Sequence, residues 1–467
     1  MKEHFKITLR NRFQALQELP EDEGTDINTQ WNEFKEAINA TCEEVLGRQK
    51  HAQQEWITAK TLKKIESRKE KKSAVNNIRA RSAKAAAQAE YTAANKEVKK
   101  LVKQDKRNFV ENLAKEAEEA AGSQNMKRLY DITKKLSQKQ GQADRPVKDK
   151  DGKPLVGEEQ QMERWAEHFE ELLNRPPPLN PPEILERETD LPISCEPPTI
   201  HEIKMAIMKS RNGKAAGPDE IPAEALKADL EATAETLHRL FSKIWEEEEI
   251  PENWKEGYII KIPKKGDLSK CSNYRGITLL PTTGKILNRI ILERLKCNVD
   301  QNLREHQAGF RKERSCIDQI ATLRIIVEQS IEWNSSLYTC FVDYEKAFDS
   351  VDRQTLWKLL RHYGIPTKMV NLIQNSYDGA SCRVVHGGKV TRRFNIRTGV
   401  RQGCLLAPFL FLIVIDWIMR QVTENKRNGI QWSLLSQLDD LDYADDLALL
   451  SHSRKQMQEK VTGLSTV

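Results

Sequence analysis

An α/β (α+β) fold, preceded by a long helical and basic region, is what this chain predicts, on three observations. From Ile200 onward, helix-length amphipathic patterns alternate with short β-like runs such as Leu337-Tyr338-Thr339-Cys340-Phe341-Val342. Leu438 to Leu450 reads as strand–turn–strand, with Asp445 and Asp446 at the turn. Much earlier, no glycine or proline interrupts the chain between Gly47 and Gly122. Within that stretch, Lys60 to Val110 holds 16 Lys or Arg against 5 Asp or Glu.

The elements follow in order. Residues 1–140 are polar and helix-prone, and the alanine-rich basic stretch reads as one or two extended helices, with a coiled coil as one form. Asp151-Gly152-Lys153-Pro154 marks a turn, followed by an amphipathic helix around Met162 to Leu173. Arg175-Pro176-Pro177-Pro178-Leu179-Asn180-Pro181-Pro182 is a polyproline-like spacer, so 141–199 is expected to be a linker. The compact domain is expected over 200–467, with its core over 244–467. Its helices lie near Ala223–Glu247, Gly284–Leu303, Ser315–Trp333, Gln354–Tyr363 and Lys368–Ser376, and a hairpin lies near Cys382–Arg397. The apolar run from Leu405 to Met419 is too short for a membrane span, and it contains Pro408 and Asp416. It reads as a buried helix, and no membrane partner is expected.

At 467 residues the chain has room for two or more domains. The net charge of +6 is modest, but its basic excess between Lys60 and Val110 suits a phosphate backbone. A solubilising helix with no ligand explains that stretch as well. The 8 cysteines are scattered without a Cys-x-x-Cys pair, and the 9 histidines do not cluster. Neither a zinc site nor a disulfide framework is supported. No secretory signal is visible at the charged N-terminus, so an intracellular, reducing compartment is expected, with nucleus and cytoplasm not separated.

The acidic turn carries the chemistry. Burying adjacent carboxylates in an apolar run is costly unless a cation compensates. Hard divalent metal, usually magnesium, suits such a pair. Asp343 ends the β-like run and is a third candidate. If its strand pairs with the hairpin, three carboxylates converge and can hold two metal ions for phosphoryl or nucleotidyl transfer. A solvated turn is the plain alternative for Asp445 and Asp446. Asp439, Asp440, Asp442 and Asp349 read as solvated or structural, because alternation turns Asp442 away from Asp445 and Asp349 falls where a helix begins.

Three blocks stand in fixed order: Phe341-Val342-Asp343-Tyr344-Glu345-Lys346-Ala347-Phe348-Asp349-Ser350-Val351, then Thr398-Gly399-Val400-Arg401-Gln402-Gly403-Cys404-Leu405-Leu406-Ala407-Pro408, then Tyr443-Ala444-Asp445-Asp446. Together they resemble motifs A, B and C of reverse transcriptases. Supporting stretches are Asn212-Gly213-Lys214-Ala215-Ala216-Gly217-Pro218-Asp219, Tyr274-Arg275-Gly276-Ile277-Thr278-Leu279-Leu280, and Gln307-Ala308-Gly309-Phe310-Arg311 with Lys312-Glu313-Arg314-Ser315. The flanks look like the non-LTR, LINE-type branch, closest to RTE-like elements, and the resemblance runs from about Ile200 to the last residue.

That resemblance implies right-hand polymerase fingers and palm, acting as an RNA-directed DNA polymerase on an RNA template, a DNA primer and dNTPs, with the element RNA as partner. It implies two Mg2+ ions, or Mn2+ in their place. Asp343 and Asp445 would bridge the metals, and Asp446 would support them or only polarise the site. Phe348 would lie under the incoming sugar and exclude a 2′-hydroxyl. Gln402 and Gly403, with Arg401 beside them, would meet the nascent base pair and the template side. Arg275 and one of Lys264 and Lys265 would sit on the phosphates, with the choice between the lysines left open. Arg311 and Arg314 would touch the template backbone, or stand as ordinary surface arginines.

Two departures qualify the resemblance. No endonuclease precedes the polymerase blocks, and the rest of motif D, the primer grip and the thumb have no counterpart after the acidic hairpin. The expectation is a truncated reading frame or a fragment of a longer element, of unknown oligomeric state. The alternative function is a non-catalytic RNA-binding relic of a truncated retroelement. An intron-encoded maturase is a further option, which the flanks speak against.

Overall fold

The computed structural model describes residues 2–18, 26–47, 56–77, 81–123, 125–136, 146–424, 427–433 and 436–466. It divides the chain into two compact units, Met1–Leu46 with Arg145–Val467, and Gly47–Asp144. This differs from the expected regions 1–140 and 141–199, and the boundary expected at 140 lies outside the described residues. Apolar burial explains the difference. Helices Lys2–Glu18 and Ile27–Leu46 bury Phe13, Trp31, Phe34 and Ile38 in the main core of the larger unit. Trp31 packs edge-on against Trp254 at 5.2 Å between ring centroids. Helix Glu158–Leu172, in the expected linker, places Trp165 and Phe169 in a second core with Ile259, Cys382 and Val384.

The smaller unit is helical. Ala59–Asn77 and Arg81–Gly122 run antiparallel, tied by Lys64–Glu97 at 3.0 Å and Lys71–Glu90 at 3.4 Å. Such exposed pairs contribute little individually. Leu113, Ala120 and Ile132 form a small core that docks helix Met126–Leu136.

Among the described residues, ten strands build the sheets of the larger unit. They are β1 (Glu256–Pro263), β2 (Tyr274–Leu279), β3 (Tyr338–Asp343), β4 (Ser381–His386), β5 (Lys389–Val390), β6 (Phe394–Asn395), β7 (Ile430–Gln431), β8 (Gln437–Leu438), β9 (Asp440–Tyr443) and β10 (Asp446–Ser451). One sheet runs β2-β1-β4-β5 with β6 on β4, a second runs β3-β10-β9, and β7 pairs with β8. In the second sheet both pairings are antiparallel, with Asp446 opposite Asp343 and Leu447 opposite Asp442.

Helix Ala407–Thr423 is the buried helix that the apolar run predicts, with Leu410, Phe411, Ile413 and Met419 in the core. Its one acid, Asp416, is buried but satisfied. It accepts hydrogen bonds from the Arg304 backbone N–H at 2.7 Å, from Arg420 Nε at 2.8 Å and from the Tyr363 hydroxyl. Among the described residues, no helix is long and apolar enough to cross a membrane.

Candidate functional site

The site is built on the second sheet. β3 delivers Asp343 at its end, and β10 delivers Asp446 at its start, as direct register partners. Partners of this kind hold their Cα atoms about 4.5–5.5 Å apart. Asp446 also pairs with Tyr443, so Ala444 and Asp445 form a two-residue turn. Ala444 takes φ of +60°, the left-handed sign that glycine usually supplies at the first position of a II′ hairpin. Asp343 and Asp446 are exposed, Asp445 is half-buried, and none of the three forms an ion pair with Lys or Arg among the described residues. Burial raises the Asp446 carboxyl above its ordinary range, and the charges of Asp445 and Asp343 push it the same way.

This donor set fits hard divalent cations: three carboxylates within mutual electrostatic reach and, among the described residues, no paired counter-charge. The side chains are not already drawn together. Among the described residues, no three His, Cys, Asp or Glu side chains converge as a metal-binding group. Like charges without a cation between them gain nothing by approaching.

Opposite these acids, on the inward side of the same hairpin, lies a set that the sequence reading took as solvated or structural. It is structural. Asp440 and Asp442 are 0% and 1% exposed, and Arg304 Nη2 lies between their carboxylates, 2.9 Å from Asp442 Oδ2. Burial lifts the Asp442 carboxyl well above its ordinary range, Asp440 reinforces this, and Arg304 opposes it. Asp439 pairs at 2.7 Å with Lys460, whose ammonium also donates to the Asp439 and Leu450 carbonyls.

Two paired strands of the first sheet carry the residues expected at the phosphates. Arg275 on β2 stands opposite Ile262 on β1, and Lys264 and Lys265 follow β1 at the exposed tip. Arg275 Nε donates to Gln402 Oε1 at 2.7 Å, and Gln402 Nε2 donates to Asp349 Oδ1 at 3.1 Å. Asp349 is held above the ordinary carboxylate range by burial, against the pull of Lys346. Gly403, at φ +114°, fits against β2, where a Cβ would lie 2.3 Å from the Thr278 carbonyl oxygen. Its glycine requirement is thus explained by the strand it touches. Phe348 is buried, stacked on Phe411 at 4.4 Å, with the exposed Phe310 ring edge-on at 6.3 Å.

Two expected nucleic-acid contacts are corrected. Arg311 spends its guanidinium inside the fold, on both Asp300 carboxylate oxygens and on the carbonyls of Asp300, Arg304 and Gln307. No donor is left for a template phosphate. Arg401 is buried, lies 4.4 Å over the Tyr377 ring and donates to the Ser376 carbonyl. Arg314 is exposed. Arg304, Lys460 and Gln307 were missed as contributors. Gln307 opens the stretch Gln307-Ala308-Gly309-Phe310-Arg311, but no periodicity marks which atom its amide meets.

The class of this domain follows from the family comparison. Residues 262–466 match the sequence model described as "Reverse transcriptase (RNA-dependent DNA polymerase)". A Xenopus laevis protein, "Transposon TX1 uncharacterized 149 kDa protein", is 28% identical over 274 residues, 57% of this chain and 21% of that one. A Pol polyprotein from the type-1 retrotransposable element R2 of Popillia japonica is 30% identical, covering 53% of this chain and 34% of that one. The "RNA-directed DNA polymerase from mobile element jockey" of Drosophila funebris is 26% identical, covering 58% and 29%. Residues 262–466 are thus similar to the reverse transcriptases of retrotransposons, and the chain spans 21% to 34% of the length of these relatives. They do not single out the RTE-like branch. An apo telomerase structure from Candida tropicalis aligns over 45% of this chain at 14% identity and a TM-score of 0.33.

Proposed function

We propose that the domain is an RNA-directed DNA polymerase of an RTE-like element, adding dNTPs to the 3′-hydroxyl of a DNA primer on an RNA template, the element RNA. One observation carries this reading: Asp446 and Asp343 are register partners, with Asp445 in the turn beside them. In it, β3, β9 and β10 are the palm and β1–β2 the fingers. Asp343, Asp445 and Asp446 would hold two Mg2+ ions, which when bound supply the positive charge that nucleotidyl transfer demands.

The remaining roles belong to the chain's own groups. Arg275 and one of Lys264 and Lys265 receive the triphosphate. Gln402 holds the Arg275 guanidinium in place and is itself held by Asp349. Phe348, fixed by its stack on Phe411, forms a rigid floor that leaves a deoxyribose room and a ribose none. Arg314 is the surviving candidate for template backbone.

Primer extension on an RNA template with Mg2+ tests the reading. Loss of an outer-shell partner already weakens metal affinity by about 10–100-fold. Asp343→Asn or Asp445→Asn, which removes a ligand, should therefore cut extension by at least about 100-fold. Activity surviving in both variants would defeat the assignment. RNA binding by a wild-type chain that makes no DNA would favour a non-catalytic relic.

A further inference from the structure

We propose that Gln307 is a positioning residue for the metal-binding turn, a role that rests on the polymerase reading above. The argument begins with Ala444. A residue with a Cβ in the left-handed region costs about 1 kcal/mol or more and persists only where its surroundings over-determine it. Here the surroundings are the segment His306–Gly309. It runs beside β9 as a short parallel extension of the sheet, with the Ala308 N–H on the Asp442 carbonyl at 2.9 Å and the Asp442 N–H on the His306 carbonyl at 3.2 Å. Backbone pairing stops there.

The Gln307 side chain continues it. Gln307 is 1% exposed. Its Oε1 accepts from the Ala444 N–H at 3.0 Å and from the Gly309 N–H at 2.7 Å, while its Nε2 reaches the Ala444 carbonyl at 3.4 Å. One amide therefore grips both polar groups of the strained residue that immediately precedes Asp445. Gly309 lets the two backbones touch, because a Cβ there would lie 2.3 Å from the Ala444 nitrogen and 2.8 Å from its Cα. Arg311 fastens the far side of the segment through the Gln307 and Arg304 carbonyls and the Asp300 carboxylate. A continuous brace thus runs from helix Thr282–Asp300 to the acidic turn.

Its effect is to fix where Asp445 and Asp446 begin relative to Asp343. Gln307→Met keeps the length of the side chain and removes the acceptor. Gly309→Ala keeps the acceptor and pushes on the turn. Binding of Mn2+ alone to the full chain, followed by electron paramagnetic resonance, should weaken by about tenfold in both, the size expected for loss of an outer-shell contact. kcat for extension should fall while the KM for dNTP holds. Both variants should still melt cooperatively above the assay temperature, and if Gln307→Met does not fold, Gly309→Ala decides. Wild-type Mn2+ affinity in the folded variants would overturn the brace and leave the polymerase reading standing. Mn2+ affinity that is the same in the wild-type chain and in the Asp445→Asn variant would overturn both.

Discussion

The acidic hairpin carries two sets of aspartates within a few residues, and the protein treats them in opposite ways. Asp440 and Asp442 point inward, are sealed from solvent and share Arg304. Asp446, with Asp343 across the sheet and Asp445 in the turn, stands outward without a basic partner among the described residues. The strand period of two separates the sets, since residues 440, 442 and 446 cannot share a face when a two-residue turn lies between them. The buried pair shares a fixed cation supplied by the fold, whereas the exposed cluster stays open to one supplied from solution.

The largest test of this contrast is Arg304→Met. Leaving two buried carboxylates without their guanidinium should cost about 3–5 kcal/mol of stability, read from the denaturant midpoint. An unchanged midpoint would mean the inner pair is wet after all. Asp445→Asn should do the reverse, since extension is lost while the midpoint holds or rises, like charges having been relieved. A comparable loss of stability would place Asp445 with the inner set.

Phe348→Val asks whether one residue can serve both core and site. It should relax discrimination against ribonucleotides by about tenfold and also lower stability. Lower stability with intact discrimination would assign the ring to the core alone. The smallest effect concerns Asp219, a buried acid with no arginine. Burial pushes it up to about 6, although the Thr282 N–H bonds its Oδ2 and Lys285 lies near. Its folded value exceeds its unfolded one, so its contribution is full below about pH 4 and is lost as pH rises through about 6. Asp219→Asn should flatten that slope by on the order of 1 kcal/mol between pH 4.5 and 7.5.

Much of this was legible in the residues. The Leu438–Leu450 alternation gave the strand–turn–strand, and the outward acids were named because adjacent carboxylates in an apolar run demand a cation. The apolar run after Gly403 was separable from a membrane span by length and by Asp416. Other features were hidden by distance along the chain. Arg311 and Arg401 look like surface arginines locally, and only the fold reveals the carbonyls that absorb them. The first two helices are polar enough to pass for a linker until Trp31 meets Trp254. Gln307 has no periodic signature, because its partner lies 137 residues away.

The packing of Trp31 and Trp165 bears on how the protein can be cut. The family match begins at residue 262, inside β1, and a chain started there would begin mid-strand. It would lack Trp254, the helix carrying Trp165 and Phe169, and both leading helices, so apolar surface now covered would meet water. The matched segment is thus smaller than the set of residues that closes these two cores. Excision at the homology limit should yield aggregate, and a soluble fragment should need residues far ahead of it.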